Sequence, residues 1–138
     1  MKSHRHLARE VAFQFLYRFD LEGRQDDPTE ELERHFKHFK IPSEVQTFTR
    51  ELVIGTVRER QELDRTIEAT AANWKVARMP YVDRNLLRMS LYELTHNRDT
   101  PTSVTIDEAV ELAKQFGTAD TASFVNGILD ACAKTIVK

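Results

Sequence analysis

The spacing of apolar residues along this chain predicts helices, because these residues recur three and four positions apart. The first predicted helix runs from about Ser3 to Glu22, and its broad apolar face consists of Leu7, Ala8, Val11, Ala12, Phe15, Leu16 and Phe19. Phe13 and Tyr17 lie four residues apart on the other side of this helix. A tyrosine outside the apolar stripe is a candidate for contact with a partner.

Capping signals divide the rest of the chain into further helices. The predicted starts are Asp27-Pro28, Ser43-x-x-Gln46, Pro80, Thr105-x-x-Glu108 and Thr118 to Thr121. A helix should end near Phe39, another should bend between Arg60 and Asp64, and Gly117 should end the next to last one. No pattern of period two predicts a strand. We therefore expect an all-α fold of about seven helices.

Composition limits the classes of function. The 138 residues fit one domain, spanning 1–138, and the net charge of −2 means that nucleic-acid binding would need a local basic patch. The single cysteine, Cys132, cannot form an internal disulfide, which favours a reducing cytoplasm. No apolar run approaches the roughly 18 residues of a membrane span. These features predict a soluble cytoplasmic protein that does not enter a membrane.

Candidate chemistry is sparse. The chain lacks a glycine-rich phosphate loop and a nucleophile elbow, and His4-x-His6 is at most half of a metal site. We therefore predict that the protein is not an enzyme and needs neither cofactor nor metal. Gly127 lies inside the predicted last helix, where glycine usually marks a close approach to the backbone. Trp74, at the end of its helix, is predicted to be buried where the helices meet.

Three motifs in sequence are specific to a family. They are Arg9-Glu10-x-Ala12-x-Gln14-x-Leu16-Tyr17, then Asp83-Arg84-x-Leu86-Leu87-Arg88-x-x-x-Tyr92-Glu93-Leu94, then Ile106 to Gly117 with Phe124-Val125-Asn126-Gly127. With them the chain resembles the NusB family of bacterial transcription antitermination factors over nearly its whole length. The resemblance implies two small helical bundles. It also implies binding to boxA RNA of nascent ribosomal RNA transcripts, together with a small-subunit ribosomal protein acting as NusE, in an RNA polymerase antitermination complex.

The resemblance places RNA binding in two segments. The first is the N-terminal basic segment, residues 2–9, with Lys2, His4, Arg5, His6 and Arg9 and no acid before Glu10. The second is the turn into the last helix, with Asp120, Phe124 and Asn126. Basic side chains suit phosphate contact, and aromatic groups suit unstacked bases. Two alternatives stay open here, because Phe124 also fits a core position and Asp120 also fits a helix cap.

The basic segment departs from the consecutive arginines of many family members, since Leu7 and two histidines interrupt it. Histidine with an unperturbed pKa near 6.5 is mostly neutral at pH 7. Our hypothesis is therefore that the chain binds RNA well only when the ribosomal-protein partner adds its own surface.

The resemblance points to Tyr17 and Asp83 as contacts for the protein partner. A core position for Tyr17 remains an alternative, and a carboxylate at Asp83 is favoured in the first turn of a helix without any partner.

Two other functions stay open. The same fold serves as an accessory domain of ribosomal-RNA cytosine methyltransferases, and a helical protein-binding scaffold without RNA binding is the second. Family members occur as monomers and as homodimers, and both remain open for this chain.

Overall fold

The computed structural model describes residues 3–136, and the elements within this range are helical. Seven α-helices follow one another: α1 (His4–Leu21), α2 (Thr29–His38), α3 (Ser43–Arg58), α4 (Arg60–Thr70), α5 (Tyr81–His96), α6 (Thr102–Phe116) and α7 (Ala119–Ala133). A single 3₁₀ turn, Val76–Arg78, precedes α5. The predicted all-α class and helix number are confirmed, and Lys2 lies outside the described residues.

Local sequence explains where most helices begin. Each of the four prolines, Pro28, Pro42, Pro80 and Pro101, immediately precedes a helix. Proline suits this position because its fixed φ fits a helix start and because the first helical N–H groups need no intrahelical acceptor. The last helix instead has Thr118 as its N-cap, within the predicted capping segment, and the side chains of Thr118 and Thr121 cap each other's backbone N–H groups.

The helices pack as two groups that share α5. Helices α1, α2 and α3 form one group, and α6 and α7 form the other with α5, while α4 contacts both α5 and α7. Helix α5 is buried on more than one side, with Leu86, Leu87, Met89, Leu91 and Leu94 each at most 1% exposed. Helices α1 and α6 thereby come to lie side by side.

One predicted helix start is wrong, and another is right but has a different cap. Helix α6 begins at Thr102, so Thr105 is an interior residue whose hydroxyl donates to the buried Glu93 carboxylate at 2.8 Å. Helix α3 begins at Ser43 as predicted, but Pro42 is its N-cap, and the Gln46 amide donates to the Ile41 carbonyl at 2.8 Å. In both helices a proline directly precedes the first helical residue.

The close approach expected at Gly127 is also absent, because a Cβ atom there would have no neighbour within 4 Å. It is Gly55 that needs to be glycine, since a Cβ at that position would overlap the ring of Tyr92. This contact lets α3 and α5 pack closely. Cys132 is buried. No helix within residues 3–136 has both the length and the apolarity to span a bilayer.

Candidate nucleic-acid interface

The N-terminal basic segment begins as an exposed, capped helix end. The Ser3 hydroxyl accepts a hydrogen bond from the backbone N–H of His6 at 3.0 Å and so caps α1. The exposed Arg5 guanidinium lies 4.3 Å from the centre of the Phe48 ring on α3. This contact orients the cation without neutralising it. Arg5 is therefore available for an anionic ligand.

Unlike Arg5, His6 contacts an acidic side chain. Its Nδ1 atom lies 2.5 Å from a carboxylate oxygen of Glu108 on α6, and the two side chains are only 17% and 21% exposed. The imidazole thus bridges α1 to α6. Because the carboxylate occupies one ring nitrogen, a ligand would have to approach the other nitrogen.

Arg9 lies in a position that argues against its predicted contact with phosphate. Its side chain is 3% exposed and forms two hydrogen bonds with the Glu93 carboxylate, of 2.8 and 2.6 Å. Glu108 lies 3.6 Å from the same guanidinium. An arginine that is enclosed and paired in this way fixes the position of α1 against α5 and α6. Sequence alone missed this because 84 positions separate Arg9 from Glu93.

The turn into α7 lies along the same side of α1. Its preceding residue Phe116 packs 5.1 Å from Phe13, ring centre to ring centre. One position earlier, the Gln115 amide donates to Glu10 at 2.7 Å. Contacts between α1 and α6 therefore run from His6 to Phe13, and they end beside the turn into α7.

An open apolar cleft of about 490 Å³ lies beside this turn, between the start of α5 and the first two turns of α7. The lining residues include Trp74, Met79, Val82, Asp83, Asp120 and Phe124. Trp74 is 56% exposed and meets the half-buried Phe124 edge to face at 5.3 Å. The prediction that Trp74 is buried is therefore wrong. The cleft exposes two aromatic rings to a ligand.

Asp83 is the buried polar group of this cleft. Burial raises the pKa of its carboxyl, and a hydrogen bond with Thr121 opposes the rise only in part. A carboxylate with a raised pKa is incompletely solvated, so a partner that donates hydrogen bonds to it would stabilise its charge. Asp120 is exposed in the first turn of α7, where the N–H groups favour a negative charge.

Tyr17 lies close to the start of α5. Its half-buried ring packs against Phe13 at 6.1 Å and against Tyr81 at 6.3 Å. Tyr81 is 38% exposed and stands two positions before Asp83. The two residues predicted for a protein partner therefore lie on neighbouring parts of the molecule. Tyr81, which the sequence analysis did not single out, links them, since it contacts Tyr17 and lies near Asp83 in the chain.

Asn126 lies away from the cleft. It is exposed in a groove between α6 and α7, beside Asp107, Lys114 and Ser123. Phe124 and Asn126 are two positions apart on one helix, so they point to different sides. The structure thus brings Asp120 and Phe124 together with Asp83, and separates Asn126 from all three.

Comparison with known proteins identifies the family. The sequence model of the NusB family matches residues 6–134, and the chain belongs to that family. A relative from Symbiobacterium thermophilum, named transcription antitermination protein NusB, is 45% identical over 131 aligned positions, and the alignment covers 91% of this chain and 86% of the relative.

Solved structures of NusB proteins share this fold. NusB of T. maritima matches with a TM-score of 0.89 and 34% identity, over 100% of this chain and 96% of that one. A structure of the antitermination factors NusB and NusE in complex with double-stranded RNA matches with a TM-score of 0.86 and 31% identity, over 98% and 99% of the two chains.

Proposed function

We propose that this chain is a transcription antitermination factor. It would bind boxA-type RNA in nascent ribosomal RNA transcripts together with a small-subunit ribosomal protein of the NusE type, within an RNA polymerase antitermination complex in the cytoplasm. It would act by binding and not by catalysis. Membership of the NusB family carries this proposal, and a neighbour of the same fold has been solved with NusE and RNA.

We assign RNA binding and protein binding to two surfaces. Arg5, the outer face of His6 and Lys2 supply the cationic end of the RNA-binding surface. Phe124 and Asn126 flank the path of the RNA beyond the turn into α7. Tyr17, Tyr81 and Asp83 supply the surface for the ribosomal protein. Arg9 becomes a positioning residue, because its guanidinium is enclosed by carboxylates. Asp120 would limit RNA affinity by repelling phosphate.

The direct test is an electrophoretic mobility shift with boxA RNA, with and without the ribosomal-protein partner. We expect weak binding by the chain alone and at least tenfold tighter binding with the partner, because the basic segment offers few fixed charges at pH 7. Equally tight binding by the lone chain would contradict the need for a partner. Absence of binding in both samples would favour the scaffold alternative. Sedimentation of the lone chain distinguishes the monomer from a homodimer.

Replacement of Arg5 by alanine should weaken RNA binding without affecting the fold. One phosphate contact on single-stranded RNA contributes about 0.7 to the slope of log affinity against log salt, so the slope should flatten by about that amount. The unfolding midpoint should stay within about 1 °C of wild type, since Arg5 is exposed. Affinity measured from 50 to 300 mM salt checks this, with Arg65→Ala on α4 as the control. An unchanged slope would remove Arg5 from the interface.

Asp83→Asn should impair binding of the ribosomal protein while sparing the fold. The amide keeps the shape of the side chain and relieves the cost of burying a charge, which is reflected in the raised pKa of Asp83. We expect at least tenfold weaker partner binding by calorimetry, with an unfolding midpoint equal to or above wild type at pH 7. The matched control is Asp130→Asn, at an exposed position of α7. Unchanged affinity would mean that Asp83 serves only the start of its helix.

A further inference from the structure

A dense group of basic and aromatic residues lies at the end of α2 and in the turn that leads to α3. This group, which we call the α2 patch, consists of Arg34, His35, Lys37, His38, Phe39 and Lys40. No acidic residue occurs between Arg34 and Ser43, although the whole chain carries a net charge of −2. The preceding Glu33 pairs with Arg50 on α3 through bonds of 2.7 and 2.9 Å, so its charge is already compensated. The α2 patch is therefore a local positive surface.

Phe39 gives the α2 patch an exposed aromatic face. Its side chain is 56% exposed, and the rings of His35 and His38 lie 4.6 and 4.7 Å from its centre. The pKa of His35 is lowered, first by burial and then by the charges of Arg18 and His38, so its ring is neutral at pH 7. Three adjacent rings with cations around them are the arrangement on which unstacked bases bind.

Lys40 occupies a backbone conformation that normally favours glycine. Its φ is +52°, and the N–H groups of Lys40 and Ile41 donate to the carbonyls of Lys37 and Phe36 at 3.3 and 2.9 Å. This is the left-handed turn that commonly ends a helix, in which a side chain is disfavoured. The chain nevertheless places a lysine there, and so keeps a cation beside Phe39.

The α2 patch lies at the same end of the molecule as the N-terminal basic segment. Helix α2 leads back towards the start of α1, because Arg24, three residues after α1, pairs with Glu31 near the start of α2, while His35 further along α2 contacts Phe15 on α1. The end of α2 therefore points towards the beginning of α1. Arg5 packs on Phe48 of α3. Phe48 lies five residues after the start of α3, which is about 8 Å along the helix axis. The α2 patch and Arg5 therefore both lie towards the first half of α3.

We propose that the α2 patch binds single-stranded RNA that flanks the segment held by the N-terminal basic segment. Phe39 stacks on a base, and Lys37, Lys40 and Arg34 contact the adjoining phosphates. This inference rests on the proposed function, since it extends the path of the same transcript. RNA is the occupant because the surface combines positive charge with an exposed ring and lies towards the same end of α3 as the proposed RNA contact at Arg5.

The test compares three RNAs with the chain bound to its ribosomal-protein partner. One is a 12-nucleotide boxA RNA, and the others carry eight additional uridines at the 5′ or the 3′ end. Wild type should bind one extended RNA about tenfold more tightly than the short one. Phe39→Ala and Lys37→Gln/Lys40→Gln should abolish that gain and leave affinity for the short RNA unchanged. The lysine pair should also flatten the salt slope for the extended RNA by about 1.4. The controls are Leu21→Ala, another exposed apolar residue, and Arg65→Gln.

Lys40→Gly separates binding from folding. Glycine fits the left-handed turn, so the unfolding midpoint should equal that of wild type or exceed it by about 2–4 °C, while affinity for the extended RNA falls about threefold. If the two extensions bring no gain, or if the variants keep it, the α2 patch has no RNA role while boxA binding stands. If wild type binds none of the three RNAs, the proposed function fails as well.

Discussion

Asp20→Asn should lower the free energy of unfolding by about 3–5 kcal/mol at pH 7, because it removes the central anion of a buried ionic cluster. Asp20 is 5% exposed and accepts hydrogen bonds from Arg84 at 2.7 and 3.0 Å. Arg88 donates at 3.3 Å, and Arg60 lies 3.6 Å away. The asparagine keeps the volume but leaves three guanidinium groups with only Asp64 as their counter-charge. A fall of about 10 °C in the unfolding midpoint corresponds to this loss.

The effect should depend on pH in a defined direction. Burial alone would raise the pKa of Asp20, but hydrogen bonds from Arg84 and Asn85 and the charge of Arg88 outweigh it, so the pKa lies below the ordinary value of 3.8. A carboxyl whose pKa is lower in the folded state stabilises the protein above its unfolded pKa. This stability is lost as pH falls below about 3.8. The difference between wild type and Asp20→Asn should therefore shrink in that range.

Thermal unfolding at pH 7 and at successively lower pH measures both effects. Asp130→Asn serves as the matched control, because it makes the same chemical change at an exposed position and should stay within about 1 °C of wild type. A wild-type midpoint for Asp20→Asn would show that the arginines find other partners or water, and that the cluster contributes little to stability.

The sequence predicted the helices well because their signals are local. The cap at Ser3, the pair Thr118 and Thr121, and the stop at Gly117 each involve residues within four positions of one another. The error at Thr105 has a local cause, since a capping pattern inside a helix reads the same as one at its start. Only the preceding proline distinguishes the two cases.

The site could be predicted only in part, because its geometry depends on contacts across the chain. Arg5 and Arg9 are one helical turn apart on α1, and residue type alone does not distinguish them. Arg5 is exposed, whereas Arg9 is buried and binds Glu93 on α5. Helical periodicity suggested burial for Trp74, yet α4 ends at Thr70 and the tryptophan lies beyond it, against Phe124. Tertiary neighbours of this kind have no signature in a single sequence.

Arg9→Ala should destabilise the fold by about 3–5 kcal/mol, which is far more than the loss of a surface cation. The substitution leaves the Glu93 carboxylate, 2% exposed, without its bidentate partner. The Thr105 hydroxyl, at 2.8 Å, cannot compensate the charge. Arg9→Lys should recover only part of the stability, because an ammonium group cannot match both carboxylate oxygens as the planar guanidinium does.

Arg5→Ala is the natural companion of Arg9→Ala, since the two arginines stand one turn apart on α1 and the chemical change is identical. Thermal unfolding and RNA titration of both variants should give opposite results. Arg9→Ala should lose about 10 °C in the unfolding midpoint, and Arg5→Ala should lose only RNA affinity. When Glu93→Gln is added to Arg9→Ala, most of the lost thermal stability should be recovered, because no buried charge is then left unpaired. A wild-type midpoint for Arg9→Ala with a flattened salt slope would instead make Arg9 the phosphate contact that its sequence motif suggested.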